Sequence, residues 1–166
     1  MATVTQTLLA ADGQFLSSAF PGLVKNGSNF PVVGLAFDAA TDEAVFWSFY
    51  AANYGSGNVT VRVFWYADTA SSGDVVWEAQ LAAITANTDT QDVETKALAT
   101  ANTATDTHLG TTGQRLHSVD ITVSNLDSLA SGDSVWLRLA RDANNASDTM
   151  TGDAIVEKVV LTYSDT

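Results

Sequence analysis

The chain has 166 residues, 46% of them apolar and 16% charged, with 19 acidic against 7 basic side chains and a formal net charge of −12. That length and apolar content predict one domain with a sizeable core, while so acidic a chain has no electrostatic route to a phosphate backbone, which argues against nucleic-acid binding. The lack of cysteine excludes disulfides, zinc–thiolate sites and a thiol nucleophile.

Residues 1–12 alternate Thr with Val or Gln before Leu8-Leu9. They read as an N-terminal arm lying on another subunit or as a first edge strand, ahead of a single domain over 13–166. No basic segment and no long apolar core opens the chain, so no signal peptide is expected. No run reaches the roughly 20 apolar residues of a membrane-spanning helix, and no membrane partner is expected. Two short apolar runs follow, Phe15-Leu16 and Val32–Phe37, separated by a loop with Pro21-Gly22 and Asn26-Gly27. The aromatic run from Ala44 to Ala51 predicts a strand crossing the middle of a sheet, covered on both faces.

Period-two alternation is clear from there on, and it marks strands with one face in a core and one outside. In 59–66, Val59, Val61, Val63 and Trp65 oppose Thr60, Arg62, Phe64 and Tyr66. In 75–84, Val75, Trp77, Ala79 and Leu81 oppose Glu78 and Gln80; in 115–124, Val119, Ile121 and Val123 oppose Ser118, Asp120 and Thr122. In 135–141, Val135, Leu137 and Leu139 oppose Trp136 and Arg138. In 154–163, Ile155, Val159, Leu161 and Tyr163 are expected on one side, Lys158 and Thr162 on the other. Four copies of Ser/Thr-Gly-Asp/Asn, with glycines at 57, 73, 132 and 152, each precede such a run and read as turns that launch strands. The span 86–113 is rich in Thr, Ala and Asn and far longer than the ~4–6 residues of an ordinary connection. It is either a functional loop or an extra edge strand, with a turn or two of helix allowed at 91–101. The whole predicts an all-β, antiparallel, two-sheet sandwich of jelly-roll type.

Catalytic signals are absent. His117 shares parity with Val119 and Ile121, which puts it at the rim of the core; His108 falls in the long loop. No nucleophile elbow, His-Glu-x-x-His or phosphate-cradling glycine loop occurs. Glu78 and Asp120 face outward on separate strands with nothing to pair them as a glycosidase requires. The chain is therefore read as a non-enzyme with no cofactor and no catalytic or metal residue. Asp142 to Asp153 concentrates oxygen ligands that calcium favours, but Asp and Asn are also ordinary turn formers, and loop capping is the reading adopted. Outward Trp136 with Arg138, and Tyr66 with Arg62 and Thr60, are the residue types of interface anchors or sugar platforms; a third reading has the long loop simply covering Trp136.

Three stretches carry a family resemblance: Gly73-Asp-Val-Val-Trp-Glu78, the run from Ala130 through Trp136-Leu-Arg138 to Arg141-Asp142, and Asp148-Thr-Met-Thr-Gly-Asp-Ala-Ile-Val156. Over about residues 58–163 they resemble small structural proteins of tailed-bacteriophage virions, and among these the jelly-roll capsid decoration, or cement, proteins. The resemblance implies a homotrimer on the outer surface of the virion capsid, made in the host cytoplasm, with the major capsid protein and its own copies as partners. Thr3, Val4, Thr5, Leu8, Leu9, Arg62, Tyr66, Trp136 and Arg138 are the expected contact residues. The alternative is a carbohydrate-binding or structural module of a phage tail, fibre or baseplate.

Overall fold

The computed structural model describes residues 2–166. Ten strands run through them: β1 (Thr3–Leu9), β2 (Gly22–Asn26), β3 (Val32–Phe37), β4 (Glu43–Tyr50), β5 (Val59–Ala67), β6 (Asp74–Ile84), β7 (Asn102–Thr107), β8 (His117–Val123), β9 (Ser134–Arg141) and β10 (Ala154–Ser164). A single 3-10 turn at Ala10–Asp12 is the only helical element among the described residues. The strands pair antiparallel into two sheets, a six-stranded one ordered β2-β3-β10-β5-β8 with β1 also on β10, and a four-stranded one ordered β4-β9-β6-β7.

The predicted alternation builds the layer between them. Val59, Val61, Val63 and Trp65 of β5 face Val75, Trp77, Ala79 and Leu81 of β6 and Val135, Leu137 and Leu139 of β9 in one cluster of buried side chains. Each such Val or Leu contributes about 1.5–3 kcal/mol by leaving water. Trp77 anchors the middle, edge-on to Phe37 at 5.3 Å and tilted against Trp65 at 6.2 Å. All four Gly-containing turns lead into strands, and Gly57, Gly73 and Gly132 adopt positive φ as turn glycines do. Gly152 does not; a Cβ there would lie 3.0 Å from the backbone nitrogen of Ala70, so close approach dictates the glycine instead.

The two stretches left open between arm or loop and edge strand both contain strands, and other expectations need correction. Residues 3–9 are an integral strand, paired over seven registers with the end of β10, from Thr3 opposite Ser164 to Leu9 opposite Lys158. Val4 and Leu8 pack on the core, and the carbonyl of Leu9 accepts a 2.9 Å bond from Trp47 Nε1. Alternation within β1 explains this, because Val4, Gln6 and Leu8 share the inner face. Strand β4 runs along the margin of its sheet, bordered beyond by a bridge from Gln14 to Phe46 and a bond from Ala44 N–H to the Ala19 carbonyl, and on its outer face Ser48 and Tyr50 are exposed. The span 86–113 contains β7, the extra edge strand of the four-stranded sheet, flanked by loops at 86–101 and 108–113, and 86–101 forms turns without helix.

The last strand hides a break in parity. The pairing of β10 with β5 slips between Val156 and Lys158, leaving Glu157 as an extra residue. Such a bulge swaps faces. Val159, Leu161 and Tyr163 point inward as predicted, but before the bulge Ala154 and Val156 do so, and Ile155 lies on the outer face. There it fills the space over Gly34, where a Cβ would come within 2.4 Å of it.

Candidate functional site

The outer face of the four-stranded sheet is built by pleat geometry alone. Register sets Ser48, Trp136 and Ala82 in one row across β4, β9 and β6, and Phe46, Arg138 and Gln80 in the next. Flanking rows hold Tyr50, Ser134 and Ile84 on one side and Ala44, Ala140, Glu78 and Thr103 on the other. Serine and alanine beside Trp136 are too short to cover an indole by themselves, and the ring is half-buried on this face. Tyr50, 64% exposed, and half-buried Phe46 lie roughly 14 Å apart along β4.

The polar part of this face is ordered by its own hydrogen bonds. Arg138 Nη1 donates to Gln80 Oε1 at 2.8 Å and to Glu78 Oε2 at 3.3 Å. Gln80 Nε2 in turn donates to the carbonyl of Ala99 at 2.8 Å. Among the described residues only Nη1 of Arg138 is engaged, which leaves its other guanidinium donors for a ligand. The arrangement brings an aromatic ring, a fixed cationic fork and an amide together in one partly exposed patch.

The expected contact residues separate. Trp136 and Arg138 stand together on this face. Arg62 lies on the outer face of the other sheet, bonded to Asp120 at 2.6 and 2.8 Å, and this pair holds the Asp120 carboxyl below its ordinary range. Tyr66 shares that face but is only 7% exposed, and its hydroxyl accepts a 3.1 Å bond from Asn26, so it forms no open platform. Thr3, Thr5 and Leu9 are exposed beside β10, whereas Val4 and Leu8 turn inward. Phe46, Tyr50 and Gln80 complete the patch and went unrecognised as contacts; the aromatic run of β4 masked which of its members face out. Glu78 and Asp120 lie on outer faces of opposite sheets, each committed to an arginine, so they cannot flank one bond.

The carboxylates of 142–153 are consumed by the chain itself. Asp148 takes a buried Arg141 in a two-point ion pair at 2.7 and 3.0 Å and accepts from Val76 N–H at 3.0 Å, while Asp142 accepts from Asn145 at 2.8 Å. Burial, then Asp38 and Asp68, push the Asp153 carboxyl up. No group of three or more His, Asp or Glu side chains among the described residues is arranged to hold a metal ion.

No protein-family model matches the chain and no curated protein does. Solved structures match in fold. A part of the isomalto-dextranase of Arthrobacter globiformis T6, complexed with panose, aligns with a TM-score of 0.62 at 13% identity over 95% of this chain, which spans 23% of that chain's length. A carbohydrate-binding module of family 28, specific for non-crystalline cellulose, aligns with a TM-score of 0.51 at 12% identity, covering 89% of this chain and 86% of that one. Likeness at such identities defines the fold alone, an all-β, jelly-roll-like sandwich. The expectation of a capsid decoration protein, with a major capsid protein and sister copies as partners, is corrected by these matches, which are a carbohydrate-binding module and part of an isomalto-dextranase.

Proposed function

We propose that the chain is a non-catalytic carbohydrate-binding module whose ligand lies along the outer face of the four-stranded sheet. The observation that carries this reading is Trp136, standing between Ser48 and Ala82 beside an Arg138 already oriented by Gln80 and Glu78. A sugar ring has an apolar face for the indole and hydroxyls for the guanidinium and amide, and hydrogen bonds to a charged group are the stronger kind. Tyr50 and Phe46 extend the platform along β4, which favours a chain of several sugar units over a single one. The likeness of the fold to carbohydrate-binding modules supports the same reading. In keeping with the motif resemblance, the reading sets such a module on a phage tail or fibre, where it would bind a host polysaccharide. A glycan array probed with the intact chain tests the function. Binding to one family of neutral polysaccharides is expected, and no binding to any glycan contradicts it.

A further inference from the structure

A second concavity lies on the opposite sheet. It has a volume of about 580 Å³ and is walled by Phe30, Pro31, Val32 and Leu116, with Tyr66 and Asn26 among its polar lining and Glu157 and Lys158 at its border. That is within the ~300–1,000 Å³ of small-molecule sites. Phe30 is 70% exposed and Leu116 58%, so two large apolar side chains flank the opening with nothing packed over them.

The polar groups are few and specific. Asn26 Nδ2 donates to the Tyr66 hydroxyl at 3.1 Å, which leaves the hydroxyl proton of Tyr66 and the amide oxygen of Asn26 without partners among the described residues. Gln114 anchors its amide nitrogen on the Asp68 carbonyl, freeing its own oxygen. Lys158 is bonded to Glu157 at 3.0 Å and lies 5.2 Å from the centre of the Phe64 ring, so the border carries a neutralised pair and no net charge. The bulge at Glu157 creates this geometry, because it brings Glu157 and Lys158 side by side to one end of the cleft.

From this lining we infer a second carbohydrate site, specific for a neutral sugar unit that carries an acetamido group; it rests on the carbohydrate reading of the chain but not on the Trp136 face. A plain hexose would leave hydroxyls unsatisfied against Phe30, Pro31 and Leu116, which is costly. An acetamido methyl fits those walls, while its N–H and C=O meet the Asn26 oxygen and the Tyr66 hydroxyl. The absence of net charge disfavours uronic or sialic acids. Two sites on opposite sheets would let one module engage two polysaccharide strands, with a gain in avidity.

Saturation-transfer NMR and titration calorimetry with the methyl glycoside of N-acetylglucosamine, and with methyl glucoside as control, test it on the intact chain. The native protein is expected to bind the acetamido sugar in preference to the control. Phe30→Ala and Leu116→Ser, both at exposed positions, should each weaken that binding about tenfold, with melting temperature unchanged, and Trp136→Ala should leave it intact. Equal response to both sugars, no response to either, or native affinity in both cleft variants overturns the second site. Loss in Trp136→Ala alone, with the cleft variants native, also overturns it and assigns the sugar to the other face. If the cleft variants lose the sugar while Trp136→Ala keeps full polysaccharide binding, the cleft stands and the Trp136 face fails.

Discussion

Arg141 and Asp148 form a fully buried, two-point ion pair at 2.7 and 3.0 Å, with side chains 0% and 1% exposed. The remaining guanidinium protons go to the carbonyls of Phe37, Gly152 and Met150 at 3.3, 2.9 and 2.7 Å. All five donors are used, and the loop that leads into β10 is tied to the end of β3. Breaking one partner leaves an uncompensated charge in the interior. Asp148→Ala is expected to cost about 3–5 kcal/mol in chemical denaturation, and a loss under about 1 kcal/mol would show the pair to be dispensable.

The same ion pair bears on calcium. With Asp148 and Asp142 occupied by side chains of the chain itself, the melting temperature should be the same in calcium and in chelator. A rise of several degrees on adding calcium would show that 142–153 rearranges around the ion.

Strand β1 gives a second stability prediction. Deleting residues 2–9 removes seven paired positions on β10, the inward side chains Val4 and Leu8, and the acceptor for Trp47 Nε1. Full burial of two such side chains is worth about 3–6 kcal/mol, and these two are partly buried, so they supply a fraction of it. The truncated chain should melt far lower or fail to fold; native-like melting would mean that these residues behave as a detachable arm after all.

Acid should open one corner of the molecule. His117 stacks on Trp65 at 4.5 Å and lies 4.6 Å from the ring of His108. Its Nε2 accepts a 3.0 Å bond from Leu109 N–H, so its proton belongs on Nδ1, which is buried without a partner among the described residues. Burial, and then the neighbouring His108, push the His117 pKa below its ordinary 6.5, with Asp106 and the Arg115 backbone opposing and the Arg115 charge assisting. The unfolded chain therefore binds this proton more readily. Stability from the neutral ring is complete above about pH 6.5 and is lost as pH falls toward the lowered folded value, by up to about 1.4 kcal/mol per pH unit. His117→Gln retains an acceptor for Leu109 and cannot ionise, so its stability should fall less steeply between pH 6.5 and 5. Parallel profiles would remove His117 as the cause.

The sandwich was legible wherever apolar and polar residues alternate, as in β5, β6, β8 and β9. It was not legible where pairing rather than burial decides. Strand β7 alternates Thr with Asn, Ala and Asp, and its inner residues act through hydrogen bonds, Asn102 to Ser124 and Asp106 to Trp65 Nε1, which leave no hydrophobic signature. The bulge at Glu157 has no residue signal, so the parity of Ile155 came out reversed. Trp136 and Arg138 could be assigned outward because Leu137 and Leu139 fix the phase of β9. In β4, by contrast, aromatic residues occupy both faces, and Phe46 and Tyr50 could not be told from Trp47 and Phe49. Phe30 sits in a loop with no periodicity and acquires meaning only beside Leu116 and Tyr66.

The most direct test of the carbohydrate face is calorimetric titration of the native chain and of Trp136→Ala with the polysaccharide that binds best on the array. The account predicts a weakening of about tenfold or more with little change in melting temperature, since this half-buried indole lies on the outer face, outside the core cluster. Native affinity in Trp136→Ala would contradict it.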